Sequence, residues 1–173
     1  MAVCGGARDV LAVGFGGDAR GCALRGRGVG TGDLVVSNGF TLAPVPGAIA
    51  SVGATPVFVE ATTSLMIDLD DLAAKIASSG AKTLLLSHMR GHMCDMDMLM
   101  AICDAADVQV VEDCAHTMGA FWGDVPSGQH GRIACYSTQT YKHINSGESG
   151  FLTCDDPALM ATAVLLSGSY RLY

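Results

Sequence analysis

Charge and basic residues are scarce in this chain. Charged residues make up 16% of its 173 residues, and the formal net charge is −7. An acidic chain without a basic run has no electrostatic footprint for a nucleic-acid backbone, so we expect no nucleic-acid partner. No apolar run reaches the roughly 18 residues that a membrane span requires, so we expect no membrane insertion.

Paired cysteine motifs are also absent. The seven cysteines are an odd number and none forms a C-x-x-C pair, whereas hydrophobic residues reach 50% of the chain. Such a composition predicts a folded domain with reduced thiols, so we expect a cytoplasmic protein. The length suits one domain, and we treat residues 1–173 as a single domain.

What the chain does contain is an alternation of short β-rich runs with helical stretches. The apolar runs resemble strands that are covered on both faces of a parallel sheet, and strand–helix alternation indicates an α/β domain. The predicted strands are Leu34–Ser37, Pro56–Glu60, Thr83–Ser87, Val108–Glu112, Ile133–Ser137 and Gly150–Thr153. The predicted helices are Asp70–Ser78, Asp95–Ala106 and one that opens at Pro157, and residues 1–10 carry no clear element.

Lysine is rare, and one of the three stands out by its position. Lys142 follows the predicted strand that ends at Ser137, in the segment YSTQTYKHINSGESG. Open α/β sheets bind ligands at the carboxyl ends of their strands. A partly desolvated lysine there can attack carbonyl groups, including an aldehyde cofactor, and a plain loop lysine is the alternative.

A second motif, VVEDCAHTMGA, ends another buried strand in two carboxylates. Asp113 lies either at the ligand-binding edge of the sheet or at the start of the next turn, where it would cap the backbone. One chemical use of such a carboxylate is to pair with a protonated pyridine nitrogen of a cofactor.

Together these motifs resemble the DegT/DnrJ/EryC1/StrS sugar aminotransferases. The resemblance extends upstream through GVGTGDLVVSNGFTLAPVPGAIASVGATPVFVE and SHMRGHMCDMDMLMAIC and covers roughly residues 12–165. It implies a three-layer α/β/α fold with a mostly parallel sheet. The resemblance further implies that the chain corresponds to the pyridoxal-phosphate-binding large domain of the aspartate-aminotransferase fold, and we expect the family's N-terminal segment and small C-terminal domain to be missing from it.

The resemblance also implies roles for individual residues. Lys142 would hold pyridoxal phosphate covalently and move the proton, and Asp113 would bind its ring nitrogen. His116 would lie beside the ring, and Ser137 would donate to the phosphate. The remaining cofactor-binding candidates are the phosphate loop at Gly16 and Gly17 and the stacking aromatic Phe40.

The implied activity is transfer of an amino group from an amino acid, with L-glutamate expected, to a keto sugar nucleotide in a homodimer. Two alternatives stay open: another pyridoxal-phosphate enzyme such as a lyase or aldolase, or an inactive remnant.

Some positions depart from the family pattern. The phosphate loop lacks a hydroxyl and is followed by the acidic Asp18, and Ser149 replaces a glycine. The group His88, His92, Cys94 and Asp95 fits no standard zinc spacing, so we predict no metal site.

Overall fold

The computed structural model describes residue 7 and residues 9–168. Within that part of the chain the strands are β1 Asp9–Val13, β2 Leu34–Asn38, β3 Thr55–Val59, β4 Thr83–Ser87, β5 Gln109–Asp113, β6 Phe121–Trp122, β7 Val125–Pro126, β8 Ile133–Ser137 and β9 Gly150–Cys154. The α-helices are α1 Gly16–Gly26, α2 Pro44–Ser51, α3 Leu69–Ser79, α4 Met96–Ala105 and α5 Pro157–Ser167.

Seven strands form one sheet in the order β1-β9-β8-β5-β4-β2-β3, and β6 and β7 form a separate hairpin. Strands β3, β2, β4, β5 and β8 run parallel, whereas β9 is antiparallel to both of its neighbours. The predicted α/β fold with a mostly parallel sheet is confirmed.

Helices cover both faces of the sheet, and strand β4 shows how the sequence achieves this. Leu85 packs with the core cluster that contains α1, α2 and α5, whereas Leu84 and Leu86 pack with the cluster that contains α3 and α4. Successive strand side chains point to opposite faces. The uninterrupted apolar run is therefore what a strand between two helical layers requires.

Aspartates start three of the helices. The side chains of Asp68, Asp95 and Asp156 accept backbone N–H bonds at the beginnings of α3, α4 and α5. Gly80 and Gly168 end α3 and α5 in the left-handed conformation. These are ordinary start and stop signals, so local sequence sets the limits of these helices.

The predicted limits agree with the structure to within one residue. Thr83–Ser87 and Ile133–Ser137 have the predicted bounds, and the other predicted strands differ by one residue at one or both ends. The prediction that residues 1–10 carry no clear element is wrong for Asp9 and Val10, which begin β1. Residues 1–6 and 8 lie outside the described part of the chain.

The six described cysteines are all free thiols, and Cys4 lies outside the described residues. Between residues 9 and 168, no helix has the length and apolar character that crossing a bilayer demands.

Candidate functional site

The carboxyl ends of the central strands open into a cavity of about 290 Å³. Asp113 ends β5, Ser137 ends β8 and Ser87 ends β4, and all three line it. The lining also includes Gly16, Gly17, Arg20, Thr41, Leu42, His88, His116, Lys142 and Glu148.

Six of the seven residues predicted for the site therefore surround one cavity. They are Gly16, Gly17, Asp113, His116, Ser137 and Lys142. Phe40 is not in the cavity wall, whereas the next two residues, Thr41 and Leu42, are. The stacking role of Phe40 stays a prediction.

The start of α1 is open toward the cavity. Phe15 precedes the helix without a side-chain cap, and the Ala19 N–H donates to the Phe15 carbonyl at 3.1 Å. The N–H groups of residues 16–18 precede this first bond and have no acceptor within the helix, as at every helix start. They form a positive end that can bind an anion.

Two glycines bring this helix start against the sheet. A Cβ on Gly150 would lie 2.7 Å from the Gly16 nitrogen, and a Cβ on Gly16 would lie 3.1 Å from the Ser137 Cβ. Neither position has room for a side chain without displacing its neighbour. Because both residues are glycines, the backbone donors at the start of α1 lie beside the Ser137 hydroxyl.

Asp113 lies in the cavity wall and also caps the following turn, so its position combines the two placements that the sequence left open. It is 4% exposed and lines the cavity, and its Oδ1 accepts the Ala115 N–H at 3.2 Å within the following turn. The same Oδ1 accepts a bond from Nη1 of Arg20, also at 3.2 Å.

Arg20 is a site residue that the sequence analysis missed. It lies on α1 and is 6% exposed, which is unusual for an arginine. The only local signal is its spacing of four residues from Gly16, which puts both on one helical face. Its partner Asp113 is 93 residues away in sequence, so no local pattern identifies the pair.

Lys142 lies in the loop between β8 and β9, where its backbone N–H donates to the Gln139 carbonyl at 2.9 Å. Partial burial lowers the pKa of the Lys142 amine; Asp113 acts against this effect and Arg20 adds to it. A lowered pKa increases the fraction of neutral amine, which is the nucleophilic form.

The charge of Lys142 acts on His116, and a hydrogen bond fixes the orientation of the His116 ring. Its Nδ1 accepts the N–H of Arg90 at 3.1 Å, which leaves Nε2 to carry the proton of the neutral ring. Burial lowers the pKa of His116, and the positive charge of Lys142 lowers it further. His116 also lines an adjoining cavity of about 730 Å³ with Arg90 and His143.

Glu112, next to Asp113, has a structural position that the sequence did not reveal. It is fully buried, and its oxygens accept bonds from Nε2 of His88 and from the N–H groups of Gly128, His130 and Gly131. It therefore ties the segment before β8 to the central strand.

In the described residues, the cluster that meets the geometric requirement for a metal is His88, Glu112 and Cys114, within 4.8 Å of one another. Both Glu112 oxygens already accept hydrogen bonds, and burial raises the pKa of the Cys114 thiol well above its ordinary value. In the loop group that the sequence analysis considered for a metal, Asp95 caps α4, and burial raises the pKa of the Cys94 thiol to about 11. The prediction of no metal stays untested.

The departures from the family pattern leave the backbone unstrained. The left-handed residue of the turn after Lys142 is Gly147, with φ of 87°, whereas Ser149 is not among the residues with positive φ. Ser149 donates its hydroxyl to the Val13 carbonyl at 3.0 Å, which ties the turn to β1. Oδ2 of Asp18 approaches Gly14, to 3.1 Å from where a Cβ would stand on that residue.

Comparison with known proteins identifies relatives along nearly the whole chain. A model of the DegT/DnrJ/EryC1/StrS aminotransferase family matches residues 1–169. GDP-perosamine synthase from Caulobacter vibrioides is 32% identical over 164 residues, which are 94% of this chain and 44% of that protein. L-glutamine:2-deoxy-scyllo-inosose aminotransferase from Micromonospora echinospora is 32% identical over 152 residues, 87% of this chain and 36% of that protein.

Among solved structures, DesV of S. venezuelae in complex with a ketimine intermediate superposes with a TM-score of 0.91 at 30% identity. The match covers 99% of this chain and 47% of DesV. This chain thus spans less than half the length of each of these three relatives.

Proposed function

This chain belongs to the DegT/DnrJ/EryC1/StrS aminotransferase family, and on that premise we propose that it binds pyridoxal phosphate and transfers an amino group from an amino acid to a keto sugar nucleotide. The observation that carries the proposal is the single cavity in which Lys142, Asp113, His116 and Ser137 meet the open start of α1.

The cavity residues fit the chemical groups of this cofactor. The uncapped helix start, with the adjacent Ser137 hydroxyl, offers donors for a phosphate, although the loop itself has no hydroxyl. Asp113 offers an acceptor for a ring N–H, and Lys142 offers an amine for the aldehyde. When bound, pyridoxal phosphate supplies the aldehyde that accepts an amino group and a ring that withdraws electrons from the reacting carbon.

Lys142 has two tasks in the proposed reaction. As a neutral amine it would hold the cofactor's aldehyde carbon covalently, with release of water, and once an amino donor has displaced it, it would move a proton between the donor's α-carbon and the cofactor. The lowered pKa of the Lys142 amine suits both tasks, because a base must be unprotonated before it can accept a proton. Asp113 and Ser137 fix the orientation of the bound group meanwhile.

The proposal includes the cytoplasm as compartment and a homodimer as the working form. The free thiols of the described cysteines agree with a reducing compartment. Leu42 in the cavity wall is 48% exposed and Tyr141, next to Lys142 in sequence, is 92% exposed, so a second copy of the chain has apolar surface to cover. Light scattering of the purified chain measures whether a dimer forms.

Borohydride reduction with pyridoxal phosphate, followed by peptide mass mapping, tests cofactor binding. We expect a phosphopyridoxyl group on Lys142 in the unaltered chain and in Lys75→Ala, and none at this site in Lys142→Ala. An unmodified Lys142 in a chain with intact circular dichroism contradicts the proposal for this chain.

Incubation of the loaded protein with candidate donors tests the reaction type. We expect L-glutamate to convert the cofactor to its amine form, and we include L-glutamine because one relative carries it in its name. Keto sugar nucleotides should then restore the aldehyde form. Absence of the amine form with either donor, despite labelled Lys142, would favour a lyase or aldolase.

A further inference from the structure

Arg20 is placed between the two ends of the candidate cofactor cavity. Its Nη1 donates to Oδ1 of Asp113 at 3.2 Å, and its Nη2 lies 4.0 Å from where a Cβ would stand on Gly17. The guanidinium thus reaches from the start of α1 to the carboxylate at the end of β5. Helical side chains lean toward the N-terminus, which aims Arg20 along this path.

This arrangement is not what a purely stabilising contact requires. Arg20 is 6% exposed, and its Nε is buried without a hydrogen-bond partner in the described part of the structure. Burying a charged group with an unpaired N–H costs free energy, and an apolar side chain of similar size would avoid that cost. The guanidinium therefore calls for a role toward Asp113 or toward the cavity.

One of the two oxygens of Asp113 is already engaged by the protein. Its Oδ1 accepts bonds from Arg20 and from the Ala115 N–H, whereas the described residues give Oδ2 no hydrogen bond. A carboxylate that already faces a guanidinium attracts a second cationic donor less strongly, because the nearby positive charge opposes it.

We propose that Arg20 is a positioning residue that holds Asp113 and shares its negative charge, so that Asp113 binds the cofactor's ring nitrogen more weakly than an unshared carboxylate would. This inference rests on the proposed function, since it concerns the same cavity. Arg20 would thereby set how strongly Asp113 holds the cofactor ring, without taking part in a reaction step.

The test compares pyridoxal phosphate with its 1-deaza analogue, in which CH replaces the ring nitrogen. The dissociation constants of both are measured by equilibrium dialysis on the full chain. In the unaltered chain we expect them to agree within about threefold, because the ring nitrogen gains little from the shared carboxylate. In Arg20→Leu we expect pyridoxal phosphate to bind at least about tenfold more tightly than the analogue, as one charge-assisted hydrogen bond would give.

Further variants separate positioning from structural support. Arg20→Lys keeps the charge and should restore the ratio of the unaltered chain. Arg20→Leu combined with Asp113→Asn should also return the ratio toward one. Arg25→Leu is the matched control, because Arg25 lies on the same helix but donates to the Ser51 carbonyl. If Arg20→Leu does not fold, Arg20→Gln removes the charge while keeping a donor.

The outcomes are distinct. A ratio clearly above threefold in the unaltered chain, or a ratio that Arg20→Leu leaves unchanged, overturns the inference and leaves the proposed function in place. If neither compound binds any variant and Lys142 is never labelled, the proposed function fails and the inference fails with it.

Discussion

Glu112 and His88 form a buried pair in which Oε2 of the carboxylate lies 3.0 Å from Nε2 of the imidazole. The pair joins the ends of two adjacent parallel strands, and His88 is itself part of the wall of the candidate cavity. Because Glu112 also accepts three backbone N–H groups from residues 128–131, one side chain fixes a loop, a strand end and a histidine.

Replacing Glu112 with glutamine should destabilise the fold strongly. The substituted amide would direct donors at groups that are themselves donors, so we expect a loss of roughly 3–5 kcal/mol in the free energy of unfolding, as for breaking a buried pair. Urea unfolding of Glu112→Gln measures the loss. Glu60→Gln, at an exposed position, is the control and should change stability by less than about 0.5 kcal/mol.

The same carboxylate should make the stability of the fold depend on pH in the acidic range. Burial raises the pKa of Glu112, but the bonds from His88 and the loop N–H groups outweigh burial, and the pKa is lowered from its ordinary value of 4.5. A group with a lowered folded pKa stabilises the fold above its unfolded pKa, and that stability is lost as pH falls through the folded value. The unaltered chain should therefore lose stability below about pH 4.5 more steeply than Glu112→Gln. The free energy of unfolding of both proteins is measured in denaturant at pH 3–6, and an equal dependence on pH would contradict this expectation.

The glycine at the start of β9 should not tolerate a methyl group. In Gly150→Ala the new Cβ would meet the backbone of Phe15 and Gly16 at 2.7 Å, so we expect a loss of about 1–3 kcal/mol and a displaced helix start. Gly21→Ala is the matched control. Its Cβ meets nothing within 4 Å in the middle of α1, so it should stabilise the chain by about 0.5–1 kcal/mol. Equal effects of the two substitutions in urea unfolding would show that the close approach is not present.

Ser137→Ala should weaken binding of the phosphate and leave the fold intact. The Ser137 hydroxyl has one long bond, accepted from the Gln139 N–H at 3.4 Å, so its removal costs little stability. We expect the dissociation constant of pyridoxal phosphate to rise about tenfold, the value of one hydrogen bond to a charged group. Fluorescence titration with pyridoxal, which lacks the phosphate, is the control and should show no change.

The amine of Lys142 should react at a lower pH than a free lysine side chain. Partial burial lowers the pKa of Lys142, and Arg20 lowers it further against the opposing effect of Asp113. Acetylation of the ligand-free chain followed by mass spectrometry should give a half-labelling pH for Lys142 below that of N-acetyl-lysine amide. Arg20→Leu should move this midpoint upward, because it removes a neighbouring cation. A midpoint at or above that of the model compound would contradict the burial of this amine.

The elements that were predicted well have local causes. Five consecutive buried residues between polar neighbours define β4 and β8, and aspartates at the starts of helices define α4 and α5. Strand β1 was missed because its pattern is mixed and it pairs with β9, about 140 residues away in sequence. The hairpin of β6 and β7 has two-residue strands, which leave too short a pattern to detect.

The sequence by itself determined the class of fold, the limits of the predicted helices and strands to within about one residue, and which residue types stand at the strand ends. Apolar runs, caps and turn glycines act within a few residues, so they can be read along the chain. Only the tertiary structure decided that Arg20 donates to Asp113, that Glu112 accepts the loop N–H groups, and that the start of α1 packs closely against Gly150. Those contacts depend on how α1 and the loop before β8 pack against the sheet, and residues far apart in sequence meet only after that packing has occurred.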